Sequence, residues 1–227
     1  MPPIATAADI DALKARLRAT WMDGNYDYFS RFMESSAVEF LDRLGLEPGI
    51  SLLDVACGSG QLSLVAARRG AKVTGLDIAT NSILVARGRA ASESIDARFD
   101  EGDAESLPYP DGSFDVVATI FGAMFAPRPD RVAAEMLRVG KRVFCQTPCR
   151  LFPIDPHLGA FFLHWLPGSW LKPGLLRYFT LNGLMWKRAY EYDVTWISKK
   201  KLKQMFPGCQ VRTEWFLLMP KSFVVTN

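Results

Sequence analysis

Histidine is nearly missing from this chain: 227 residues hold only His157 and His164. Any role for imidazole as a base or ligand therefore has two candidates. The four cysteines, Cys57, Cys145, Cys149 and Cys209, form neither a disulfide framework nor a zinc-ligand pattern. Cys145 and Cys149 are two thiols without matched partners, so reduced and mostly buried thiols are expected and no metal is. No apolar run reaches the length of a membrane-spanning helix. Met1-Pro2-Pro3-Ile4 lacks the charged-then-apolar order of a secretory signal. A cytoplasmic location is the default expectation.

What is present is a sizeable apolar fraction, 49% of the chain, enough for one α/β domain with a large core. The net charge of +3 is unevenly spread. Residues 1–140 hold 14 Lys+Arg against 20 Asp+Glu; residues 141–227 hold 13 against 4, along with five of the six tryptophans.

The stretch from Leu52 to Gly60 organises the rest. It reads as an apolar strand with Asp54 near its end, then a turn carrying Gly58 and Gly60. A helix follows from Gln61 to Arg69, with Gly70 as its stop. Glycine in such a turn lets a ligand approach the backbone, and the helix start presents free N–H groups. The same turn also serves merely to join strand to helix. Lys72–Asp77 is a second strand ending in an acid. Asp77 suits ribose hydroxyls in a doubly wound sheet, or it is a turn or capping aspartate. The stretch from Ala97 to Pro110 holds a third strand, then an acid and a proline-bounded loop. Ser113–Ile120 is a fourth, strongly apolar strand.

In order and spacing, Asp54-Val55-Ala56-Cys57-Gly58-Ser59-Gly60, Gly75-Leu76-Asp77-Ile78, Gly102-Asp103-Ala104-Glu105-Ser106-Leu107-Pro108 and Ser113-Phe114-Asp115-Val116-Val117 closely resemble the class I S-adenosylmethionine-dependent methyltransferases. The likeness is to the small-molecule branch that includes the ubiquinone/menaquinone C-methyltransferases. It implies an α/β, Rossmann-like fold: a seven-stranded, mostly parallel sheet with its last strand antiparallel and helices on both faces. It implies S-adenosylmethionine as cofactor and S-adenosylhomocysteine as product. By the resemblance Gly58 and Gly60 approach the methionine moiety, and Asp54 helps hold its ammonium. Asp77 takes the ribose hydroxyls, and Asp103 with the Ala104 backbone reads the adenine edge. Ala56, Ser59, Ile78, Thr119, Phe121 and Tyr26 complete the expected cofactor set.

A single domain over residues 1–227 is expected, in four parts. Residues 1–34 form a helical lid, 35–147 the cofactor core, 148–206 an aromatic insertion over the substrate, and 207–227 a terminal β-hairpin. Residues 8–20 suit an amphipathic helix with Ile10, Leu13 and Leu17 on one face. Trp21, Tyr26 and Tyr28 either help form the lid or pack that helix on the domain. Ser36-Ala37-Val38-Glu39 has the capping-box pattern for the helix before the first strand, which buries Phe40, Leu41 and Leu44. Helix Thr80–Glu93 points Ile83, Leu84 and Ala86 inward, and helix Asp130–Val139 precedes the fifth strand, Lys141–Thr147. Helical patches fall at Leu158–Leu166 and Leu175–Ala189. A basic helix begins at Lys199, and Cys209–Phe216 pairs with Lys221–Val225.

At Gly140 the chain departs from the resembling relatives, which carry a Pro-Gly-Gly turn there. From Gly140 onward it looks like another subgroup, the pattern a recombined or engineered chain would show. The acceptor pocket is expected to include Trp21, Met124, Phe125 and His157. His157 is the candidate base, with Asp155 either orienting it or capping a helix. Thr119, Phe121 and Met124 border the reacting centre or simply pack under the sheet edge.

The basic, aromatic second part suits a small apolar or lipid-like acceptor, an anionic membrane surface, or RNA. Against nucleic acid, the end of the fourth strand carries neither an Asn/Asp-Pro-Pro-aromatic motif nor a Pro-Cys pair. A nicotinamide enzyme would want a third glycine where Ser63 stands. A protein that binds S-adenosylmethionine without catalysis remains the main alternative.

Overall fold

A computed structural model describes residues 6–22, 34–122, 126–152, 154–155, 160–161 and 196–227. In chain order these form α1 (Ala7–Met22), α2 (Glu34–Leu44), β1 (Ser51–Val55), α3 (Gln61–Arg68), β2 (Lys72–Asp77), α4 (Thr80–Ser92), β3 (Ala97–Glu101), β4 (Phe114–Ile120) and α5 (Pro129–Val139). Then come β5 (Gly140–Pro148), β6 (Ile154–Asp155), β7 (Ala160–Phe161), α6 (Lys199–Met205), β8 (Gln210–Phe216) and β9 (Met219–Thr226).

Seven strands make one sheet in the order β3-β2-β1-β4-β5-β9-β8. The first five are parallel, and β9 runs antiparallel between β5 and β8. This is the sheet that the resemblance implies. The reversal of order between β1 and β4 opens a crevice at the strands' carboxyl ends, where sheets of this type take ligands.

The apolar strand runs are continuous because both faces of the sheet are covered. On one side Leu53, Val55, Val117 and Val143 pack against Val132, Met136 and Val139 of α5 and against Leu202 and Phe206. On the other, Leu52, Val116 and Phe144 meet Phe40, Leu41 and Leu44 of α2 and Leu62, Val65 and Ala66 of α3. Phe40 meets Phe144 edge-on at 5.0 Å, a geometry that adds to plain burial. Among the described residues no helix is long and apolar enough to cross a membrane. All four cysteines are free thiols, three of them buried.

Three local expectations are corrected. Helix α2 already runs from Glu34, so Ser36 lies inside it and the supposed capping box does not start it. Leu84 is 60% exposed, because only Ile83 and Ala86 fall on the sheet-facing side of α4. Ala160–Phe161 is not helical but pairs antiparallel with Ile154–Asp155, which also takes Asp155 away from any helix start. Helix α1 forms as expected, with Ile10, Leu13 and Leu17 on its half-buried side. The expected patch at Leu175–Ala189 lies outside the described residues.

Gly75 shows how tightly the core supports the first turn. A Cβ there would lie 2.7 Å from Phe99 Cδ1 and 2.9 Å from Cys57 Sγ. Gly75→Ala is expected to lower stability by about 1–3 kcal/mol through overpacking, read as a lower denaturant midpoint with an unchanged slope.

Candidate functional site

Five residues join β1 to α3, and three of them take the left-handed conformation: Ala56 (φ 57°), Gly58 (φ 55°) and Gly60 (φ 84°). At Gly58 and Gly60 this is inexpensive. At Ala56 it costs roughly 1–2 kcal/mol, so the surroundings must impose it. They do so from two sides. The Cys57 N–H donates to the Leu76 carbonyl at 3.0 Å, and the Gly58 N–H donates to Asp77 Oδ2 at 2.9 Å. Both partners lie at the carboxyl end of β2. The other Asp77 oxygen accepts the Ala79 N–H at 2.8 Å. The capping reading of Asp77 is therefore real, and it coexists with a position at the crevice. Burial pushes the Asp77 carboxyl up, against the pull of the Ala79, Gly58 and Ile78 N–H groups.

Asp54 sits beneath the turn, 2% exposed, and accepts the Ser63 hydroxyl at 2.6 Å. Burial is the main reason its pKa is pushed up to about 7, opposed by the Ser63 hydrogen bonds. Ser63 is the position at which a dinucleotide fold would place its third glycine; here its hydroxyl is needed to hold Asp54. No spacing in the sequence marked that pair.

The loop after β4 closes the crevice from the other side. Phe121 is left-handed (φ 64°), and its N–H donates to the Gln146 carbonyl at 2.8 Å. A Cβ on Gly122 would fall 2.4 Å from the Ala56 Cβ and 2.8 Å from Thr119 Oγ1, so only glycine allows these loops to meet. Thr119 is fully buried. Its hydroxyl and the Gln61 Oε1 have no hydrogen-bond partner among the described residues. Two unpartnered polar atoms beside the turn are unusual in an interior.

At the third strand, Asp103 Oδ1 accepts the Glu105 N–H at 2.9 Å. Its Oδ2 accepts Lys14 Nζ at 2.5 Å, and the same ammonium lies 2.8 Å from Glu105. Glu105 is buried and also binds the Arg128 backbone N–H and guanidinium. Arg18 pairs with Glu101, and Asn81 Nδ2 donates to the Trp21 and Met22 carbonyls. Helix α1 is thus laid across the carboxyl ends of β2 and β3 by polar contacts. Lys14, Arg18, Glu105 and Arg128 were not singled out in the sequence, because nothing local shows where α1 returns.

The structure brings Asp54, Ala56, Gly58, Ser59, Gly60, Asp77, Ile78, Asp103, Ala104, Thr119 and Phe121 to one edge of one sheet. Trp21, half-buried at the end of α1, lies at its rim. Tyr26, Tyr28, Met124, Phe125, His157 and His164 lie outside the described residues. Asp54, Asp77, Asp100, Glu101 and Asp103 lie at this edge, the last three paired with Arg98, Arg18 and Lys14.

Residues 53–143 match the family model described as a methyltransferase domain. Residues 53–143 are a class I methyltransferase domain. The chain is 37% identical over 123 residues to Methyltransferase GfsG of Streptomyces halstedii, covering 52% of this chain and 44% of that protein. It is 36% identical over 118 residues to the demethylmenaquinone methyltransferase of Thermus thermophilus, covering 49% of this chain and 51% of that one. The chain thus spans about half the length of these curated relatives. A SAM-dependent methyltransferase structure from Aquifex aeolicus superposes with a TM-score of 0.57 at 15% identity, over 96% of this chain and 97% of that one. At that identity the likeness shows the fold alone.

The raised Asp54 carboxyl has a consequence for stability. Its folded pKa of about 7 lies above the ordinary 3.8, so it favours the fold below the ordinary value and that benefit is lost as pH rises through 7. Asp54→Asn should leave the melting temperature nearly unchanged at acidic pH. Above neutrality it should raise it by about 5 °C or more, as read by calorimetry across a pH series.

Proposed function

We propose that this chain binds S-adenosylmethionine along the carboxyl ends of β1–β3 and transfers its methyl group to a small, hydrophobic or lipid-like acceptor. The observation that carries the reading is the acid-lined edge under the left-handed turn at residues 56–60. S-adenosylmethionine is a net cation, with sulfonium and ammonium against one carboxylate, and an edge of carboxylates favours it. Asp77, fixed by two N–H groups at the end of β2, has lone pairs left for ribose hydroxyls. Asp103 stands at the next strand for an adenine amino group, which would share the carboxylate with Lys14. The start of α3 offers N–H groups to the methionine carboxylate. The unpartnered Thr119 hydroxyl and Gln61 carbonyl lie where turn and β4 loop meet.

When bound, the cofactor supplies an electrophilic methyl on sulfur. The protein's task is alignment of that methyl with a nucleophile and exclusion of water. Helix α1, tied down by Lys14 and Arg18, supports the reading of the N-terminal segment as a cover. His157 remains the proposed base for acceptors that must lose a proton. Nucleic acid is disfavoured, because the end of β4, Thr119-Ile120-Phe121-Gly122, lacks the Asn/Asp-Pro-Pro-aromatic motif of amino-directed base methyltransferases. A small acceptor is supported by the apolar side chains past the end of β5, Leu151 and Phe152, on the side away from the adenosine end.

Titration calorimetry tests the cofactor. S-adenosylmethionine and S-adenosylhomocysteine should bind the wild type, and Asp77→Ala should weaken both by about tenfold or more, the scale of lost charge-assisted hydrogen bonds. Removing residues 1–30 should weaken binding as well. Methylated product from a panel of apolar phenols, amines and lipids would show transfer. Binding without turnover on any of them would favour a non-catalytic binder, and no binding by the wild type would sink both readings.

A further inference from the structure

The terminal hairpin ends in a patch that the core does not explain. Trp215 is 64% exposed, Phe216 50%, Leu217 77% and Leu218 94%. β5 last pairs with β9 at Pro148 and Ser222, so residues 215–221 project past the sheet on its carboxyl edge. Leu151, 64% exposed, lies beside them, and Phe152 packs edge-on against Phe216 at 6.1 Å. Clustered exposed apolar side chains of this size mark a contact surface.

The turn itself sharpens the point. Phe216 pairs with Met219, leaving Leu217 and Leu218 as a two-residue loop. Both have positive φ, 45° and 65°, the signature of a type I′ turn that Asn-Gly would adopt without strain. Leucine there harms the turn, the burial and the solubility together. Its use has a physical reason if the tip is covered by an apolar phase or partner.

Charge points to which phase. Residues 141–227 carry 13 Lys+Arg against 4 Asp+Glu. Lys199 donates to Thr213, two residues before Trp215, so the Lys199–Lys200 end of α6 faces the tip. Lys221 follows it on β9. Glu214, the acid nearest the tip, is held by Arg43 at 2.6 Å and by Ser222, and lies 4.0 Å from Lys221. A tryptophan and leucines at a tip, with lysines on the strands and helix behind it, match an anionic bilayer, with rings at the headgroups and ammonium groups on phosphate. A bulge between Glu214 and Trp215 interrupts the ladder where the tip begins, which disfavours the addition of another protein strand there.

We propose that the β8–β9 tip, Trp215 to Met219 with Leu151, docks this protein on anionic lipid bilayers and brings the carboxyl edge of the sheet to the membrane surface. The proposal stands whether or not the chain transfers methyl groups.

Vesicle flotation of the full chain tests it. Wild type should float with phosphatidylglycerol-rich vesicles, not with pure phosphatidylcholine, and salt should weaken binding. The Leu217→Asn/Leu218→Gly double variant should cut partitioning by about tenfold or more while raising the melting temperature, since it relieves the turn. Lys200→Ser/Lys221→Ser should reduce the salt-sensitive part. The proposal fails if wild type does not float, if it binds both vesicles alike, or if the Asn-Gly variant binds unchanged. It also fails if wild type sediments as a dimer that the Asn-Gly variant converts to monomer, for then a second copy covers the tip.

Discussion

The Asp77 carboxylate accepting the Gly58 N–H is the contact on which the site depends. It links the end of β2 to the middle of the β1–α3 turn. With the Cys57–Leu76 backbone bond, it holds three left-handed residues in five. One of them, Ala56, would not choose that conformation alone. The turn in turn sets where α3 begins, keeps Asp54 beneath it against Ser63, and leaves room for Gly122 to bring the β4 loop to van der Waals contact. Phe99 and Cys57 support it from below, through the space that Gly75 leaves empty. A displacement at any of these points would be passed to the others, because the packing between them has no slack.

Around that contact the sheet separates two chemistries. The β1–β3 side of the carboxyl edge is acidic and crossed by a helix attached through lysine, arginine and asparagine. The β5–β9 side is apolar and basic. The unequal charge of the two parts of the chain becomes, in three dimensions, a difference between two ends of one edge. On the proposed reading, the cofactor lies at one end and an apolar or lipid-like acceptor at the other.

Much of the fold was legible because parallel strands are buried on both faces and read as continuous apolar runs. β2 was delimited to the residue, and β4, β5 and the final hairpin to within one or two residues at either end. Errors arose where a short pattern had two readings. Ser36-Ala37-Val38-Glu39 carries capping residues inside a helix that had already begun. Leu84 follows Ile83 in a small-residue helix, where one extra leucine does not reveal the buried side. The short β6–β7 pair was missed because alanine and phenylalanine in an apolar run fit helix as well as strand.

The order of motifs along the chain determined the sheet, the class of domain and the acids at the crevice, since each depends on local turn chemistry and on periodicity. Tertiary structure alone decided what those acids touch. Lys14 lies 89 residues from Asp103, and Arg43 reaches Glu214 across the sheet. No local pattern encodes such pairs; they exist because the fold returns distant segments to one edge. The same holds for the hairpin tip. Its leucines are an ordinary apolar run on paper, and only their place beyond the last strand pairing leaves them facing out.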